Sequence, residues 1–131
     1  MSQSDIEPVG AIFIFEGRDL VVQADRSAAE RFVEPYDIES GDIFDELGRP
    51  LQAVAIGDMW PKRVQLSVRD PEPQTPLLVK RVREYLQAIG HSVPTHPEDH
   101  AWLHEAARTL LRRQRSSTPW GRIRTRLWGH R

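Results

Sequence analysis

Apolar residues in this chain gather in short blocks before residue 90 and thin out after it. Ala11–Phe15 is a continuous apolar run, Glu16-Gly17-Arg18-Asp19 supplies turn chemistry, and Leu20–Gln23 resumes the apolar pattern. Two β-prone runs around a Gly-containing turn predict a hairpin. Ser27, with Glu30 three residues on, has the spacing of a capping box and predicts a short helix over Ala28–Val33, with Pro35 as its stop. Ile43-Phe44 opens a further strand, Leu47-Gly48-Arg49-Pro50 reads as a turn, and Leu51–Ile56 as the strand leaving it. Arg63–Val68 alternates polar and apolar residues, which predicts a strand with one buried face.

Helical spacing takes over downstream. Asp70–Pro76 holds three prolines and is a loop; Thr75 as cap with Pro76 at the first helical position starts a helix. Leu78, Val82, Tyr85 and Ile89 recur at steps of four, three and four, so one helix face should cover the sheet, and Gly90 supplies the stop. A second helix is predicted from Thr95–Glu98 to about Arg113, with Leu103, Ala107 and Leu110 as its apolar stripe. Arg112–Thr118 reads as a polar link, and Pro119–Trp128 as a last helix that is too short to stand without a packing partner. The expectation is an α+β domain over residues 1–113. It comprises a small antiparallel sheet of four or five strands, a short helix and two longer C-terminal helices packed on the sheet. An Arg/Trp-rich extension occupies residues 114–131.

A length of 131 residues fits one such domain. The chain has no cysteine, which excludes disulfides, thiolate catalysis and Cys-based zinc sites. No stretch approaches the ~20 apolar residues that span a bilayer. The N-terminal Met1-Ser2-Gln3-Ser4-Asp5 lacks the positive flank and apolar run of a secretory signal, so a cytoplasmic protein is expected.

Charge changes the picture more than composition does, because acids and bases are segregated. The chain's net charge is −1, and the eight arginines of residues 108–131 contribute +8 with no acid after Glu105, which leaves −9 on residues 1–107. Such asymmetry points to electrostatic partnering, within the chain or with another molecule. Within the acidic part, Glu34, Asp37, Glu39, Asp42, Asp45 and Glu46 follow one another with no Lys or Arg between them. They form either a solvated acidic connector or a contact surface that blocks a basic site on a partner protein. The Asp-x-Asp-x-Asp-Gly spacing of a calcium loop is absent.

At the other end, Arg112, Arg113, Arg115, Arg122, Arg124 and Arg126 interleave with Trp120 and Trp128. Guanidinium groups pair with phosphates and indoles offer stacking faces, so this segment suits nucleic acid. It equally suits an anionic membrane surface, or folding back on the acidic body with the tryptophans as anchors.

His91, His96, His100 and His104 crowd one stretch, and the last two are one helical turn apart, a spacing that can hold zinc. The His-Glu-x-x-His motif is missing because Ala101 follows His100, so exposed histidines near a helix start are the simpler reading and no metal or cofactor is expected. No Gly-x-Ser-x-Gly elbow and no Gly-rich phosphate loop occur. The expectation is a protein that is not an enzyme.

Glu34-Pro35-x-Asp37-Ile38-x-x-Gly41, followed by Asp45-x-x-Gly48-Arg49-x-Leu51, resembles a pattern in small bacterial α+β proteins of unassigned activity. Some of these are encoded beside polymorphic toxins and are read as their immunity proteins. The resemblance covers roughly residues 11–90. It implies a helix entering an acidic connector, a strand, a Gly-Arg turn into the next strand, and a closing helix over Pro76–Gly90. It also implies a non-catalytic module that binds a protein partner, such as a toxin domain. The tail after Glu105 departs from the pattern and supports the alternative, nucleic-acid binding.

Overall fold

The apolar run Ile12-Phe13-Ile14-Phe15 is buried on both sides, because the strand it forms runs through the middle of the molecule. The computed structural model of the chain describes residues 6–33, 42–59, 63–95 and 99–116, with side chains to Gln114. In it β1 (Ile12–Glu16) pairs antiparallel with β2 (Asp19–Gln23) on one edge and β3 (Ile43–Asp45) on the other, in the order β2-β1-β3. The hairpin register sets Phe13 opposite Val22 and Phe15 opposite Leu20. A second sheet pairs β4 (Leu51–Ile56) with β5 (Arg63–Val68), Leu51 facing Val68 and Ala53 facing Leu66. The described residues therefore hold an α+β fold with two small antiparallel sheets rather than one. The sheets meet where Phe44 bridges Pro50 across the tight turn between β3 and β4.

Alternation along β1 sorts the core into two halves. Ile12 and Ile14 face Ile43, Leu51, Leu66 and Val68, together with Ala29 and Val33 of the short helix region. Phe13 and Phe15 face the other way, onto Val22, Phe44 and the two long helices α2 (Thr75–Ala88) and α3 (His100–Ser116). The three-stranded sheet is thus the middle layer, covered on both faces, and a strand buried on both faces carries no polar alternation. The second sheet has one wet face, where Val54 and Gln65 are exposed.

Several boundaries differ from the sequence expectation, each for a local reason. Asp25, not Ser27, caps α1 (Arg26–Phe32), its Oδ1 accepting the Ala28 N–H at 2.9 Å. Glu30 does not close a capping box; it pairs with Arg26 at 2.9 Å and accepts the Leu66 N–H at 2.7 Å, tying α1 to the outer edge of β5.

Gln74, not Thr75, is the N-cap of α2, and the Thr75 hydroxyl instead donates to the Leu47 carbonyl at 3.3 Å. The buried face of α2 is Leu78, Val79, Val82 and Leu86, with Tyr85 and Ile89 half-buried. The helix ends at Ala88 with Ile89 as its cap, one residue before the expected Gly90, which follows in the left-handed conformation (φ +72°); the Gly90 N–H bonds the Gln87 carbonyl and the His91 N–H that of Leu86.

Asp99 accepts the Ala101 N–H at 3.0 Å at the start of α3, which is described from His100; residues 96–98 of the expected start lie outside the described residues. Leu103, Ala107 and Leu110 are buried as anticipated, joined by Ala106 and by Trp102, which is 1% exposed and donates its indole N–H to the Pro94 carbonyl at 3.1 Å. The helix continues to Ser116, past the expected boundary at residue 113. Its Gln114 amide donates to the Val22 carbonyl at 2.7 Å and accepts the Val22 N–H at 2.8 Å, pairing with the outer edge of β2 as a neighbouring strand would. No helix among the described residues is long and apolar enough to cross a membrane.

Candidate functional site

The second half of the sequence motif is architecture. Asp45 ends β3 fully buried, and its carboxylate accepts five hydrogen bonds. Oδ1 takes the N–H groups of Leu47 and Arg49 at 3.1 and 3.0 Å. Oδ2 takes the Val9 N–H at 3.1 Å and the Nε and Nη2 of Arg49 at 3.0 and 2.8 Å. Arg49 also donates to the Glu7 carbonyl at 3.2 Å, which ties the N-terminal strand approach to the turn. A buried carboxylate is tolerated only when paired and hydrogen-bonded, and this one is both.

Gly48 lies between Asp45 and Arg49 with φ +85°, and a Cβ there would fall 2.8 Å from the Thr75 hydroxyl and 3.0 Å from Thr75 backbone. Only glycine fits the turn and lets α2 begin against it. Leu51 completes the set as a fully buried core residue. Asp45 is therefore removed from the expected acidic contact surface; its charge is spent inside the fold.

Glu46 is also largely committed. Its Oε1 accepts the Ala11 N–H at 3.0 Å, and its Oε2 lies 2.6 Å from Nδ1 of His104 on α3. The pair fastens the N-terminal half of α3 to the β3–β4 turn, as Gln114 fastens the C-terminal half to β2.

Asp42 is the acidic residue that faces outward. Its side chain is 45% exposed, and its Oδ1 sits 3.3 Å from both terminal nitrogens of Arg81. The Arg81 guanidinium in turn lies 4.0 Å from the Phe15 ring centroid, a cation–π contact, and Phe15 packs edge-on against Phe44 at 6.1 Å. Glu34, Asp37 and Glu39 lie outside the described residues.

Beside Arg81 is a shallow cleft of about 290 Å³ between the hairpin turn and α2, lined by Phe15, Gly17, Arg18, Arg81, Glu84, Tyr85 and Ala88. Burial pushes the Tyr85 phenol above its ordinary value; the charge of Asp19 adds to the rise and that of Arg113 opposes it. The cleft holds neither a nucleophile beside a base nor a convergent ligand set. Among the described residues no three His, Cys, Asp or Glu side chains are grouped to hold a metal. His91 contacts the Ser92 carbonyl, His104 contacts Glu46, His100 is exposed, and His96 lies outside the described residues.

Of the basic candidates, Arg112 and Arg113 are exposed on α3. Arg115 lies on the helix without a described side chain, and Trp120, Arg122, Arg124, Arg126 and Trp128 lie outside the described residues. Sequence reasoning read Arg49 only as a turn residue and overlooked Arg81, Gln114 and Trp102. The four-residue step from Asp45 to Arg49 was a readable signal for that pair; the partners of Arg81 and Gln114 lie 39 and 92 residues away and give no local sign.

No protein-family model, curated protein or solved structure matches the chain.

Proposed function

We propose that this chain is a non-catalytic protein-binding module that uses its acidic connector to cover a basic site on a partner, in the manner of an immunity protein blocking a toxin. The observation that carries the proposal is the outward carboxylate of Asp42 in a run of acids, Glu34 to Glu46, that holds no Lys or Arg. Asp45, Gly48, Arg49 and Leu51 are accounted for by the turn, the buried ion pair and the core. Asp42 keeps its carboxylate outward, 45% exposed, next to the run of acids that begins at Glu34. The contact set narrows accordingly to Glu34, Asp37, Glu39 and Asp42.

An exposed ion pair such as Asp42–Arg81 is worth ~0–1 kcal/mol, so Asp42 can exchange Arg81 for a partner's cation at little cost. Opposite potentials across such a contact speed association and fix register, and they make the complex sensitive to salt. Co-expression with the protein encoded by the neighbouring gene is the direct test. Protection from that protein's toxicity, accompanied by a one-to-one complex, is the expected result. Undiminished toxicity with both proteins soluble and no complex formed would remove the reading.

A further inference from the structure

We propose a second interaction surface, separate from the acidic connector: the outward row of α3 is a contact for the phosphate backbone of nucleic acid. Glu105 is the only acid on the helix, and from Arg108 onward it carries Arg108, Arg112, Arg113 and Arg115. Arg108 and Arg112 are both exposed and stand four residues apart, one above the other on the same face, about 6 Å along the helix axis. Phosphates of one DNA strand rise about 3.4 Å each, so this pair spans about two of them. Arg112 also donates to Thr109 at 3.5 Å on the same helix.

The rod that carries the row is held in place before any ligand arrives. Trp102, Leu103, Ala106, Ala107 and Leu110 bury its inner face, and His104–Glu46 and Gln114–Val22 fasten its two halves to the sheet. Ordering cost on binding is correspondingly small.

Charge complementarity names the occupant as a polyanion, and the apolar face decides which kind. A helix that lies in a bilayer interface inserts its apolar side, whereas that side of α3 is already consumed by the core. The exposed described residues of α3 are His100, Ala101, His104, Arg108, Arg112 and Arg113, with Glu105 half-buried and no exposed Trp, Tyr, Phe or large aliphatic group. Sequence-independent phosphate contact matches this surface. This inference does not depend on the protein-binding proposal, since its test contains no protein partner.

The experiment is a fluorescence-anisotropy titration of a labelled 20-base-pair DNA duplex, a length of about two helical turns, with the full chain at several salt concentrations. It is repeated with R108Q/R112Q, R108K/R112K and the tail variant R122Q/R124Q/R126Q, each checked for native circular dichroism. Losing two phosphate contacts should make the slope of log K against log salt shallower by about 1.8, so that moving from 200 to 50 mM salt tightens the wild type by about tenfold more than R108Q/R112Q. The lysine variant should keep the slope. The proposal is overturned if R108Q/R112Q matches the wild-type slope while the tail variant loses binding, or if the chain sediments with anionic phosphatidylserine vesicles and leaves the duplex free.

Discussion

Arg49 holds Asp45 with two nitrogens on a single oxygen, Nε at 3.0 Å and Nη2 at 2.8 Å from Oδ2, while the other carboxylate oxygen gathers two backbone N–H groups of the same turn. This pair marks the joint between the two sheets. Removing either partner is predicted to act unequally. Asp45→Ala strips the Arg49 guanidinium and three backbone donors of their acceptor together, and should cost about 3–5 kcal/mol of stability. Arg49→Met leaves the carboxylate its three backbone donors and should cost about 1.5–3 kcal/mol. The double variant should lose less than the two losses summed, because both substitutions remove one shared interaction. Urea unfolding of the four proteins measures all three quantities; strict additivity would show that the pair is not coupled.

Gln114 stands in for a strand at the β2 edge. Gln114→Ala leaves the Val22 N–H and carbonyl without these partners, at a predicted cost of about 1–3 kcal/mol. Amide hydrogen exchange at Val22 should quicken most, while that of Val79, deep in α2, quickens only as far as global stability falls. Unchanged exchange at Val22 would mean that another group protects the edge.

The Tyr85 phenol gives a signed pH dependence. Its ionisation is pushed upward in the folded chain, chiefly by burial, so the folded state keeps its proton where the unfolded state has released it. In that range the folded chain binds more protons, and stability must fall as the pH rises past the unfolded phenol's value near 10.0. Urea midpoints collected from roughly pH 9 to 11 should therefore fall more steeply for the wild type than for Tyr85→Phe. Parallel curves would show that Tyr85 contributes no linkage.

Much of this fold was legible in the residues. The hairpin turn at Gly17, the alternation of Arg63–Val68 and the periodicity of Leu78 and Val82 placed their elements within a residue or two. The run Ile12-Phe13-Ile14-Phe15 also carried a message that a hairpin reading passes over: unbroken apolarity signals a strand covered on both faces. What stayed hidden depended on tertiary approach. Ser27 and Glu30 satisfy a capping-box pattern, yet Asp25 takes the cap and Glu30 serves β5, because the Leu66 N–H comes within its reach.

The candidate surface was legible as charge but not as geometry. Six acids in a row look alike on paper; burial and the Arg49 pair separate Asp45 from Asp42, which stands three residues away and faces outward. Glu46 looked like part of the same surface, and only the return of His104, 58 residues later, explains its place.

The most direct measurement is an affinity capture from native cell lysate at low salt. It uses the full chain and its E34K/D37K/E39K/D42K variant side by side, with nuclease treatment in parallel. The account predicts one protein partner in one-to-one ratio on the wild-type chain, indifferent to nuclease and lost from the charge-reversed variant, with both chains equally folded. Retention of that same partner by the variant at undiminished occupancy would contradict the claim that the acidic connector is the binding surface.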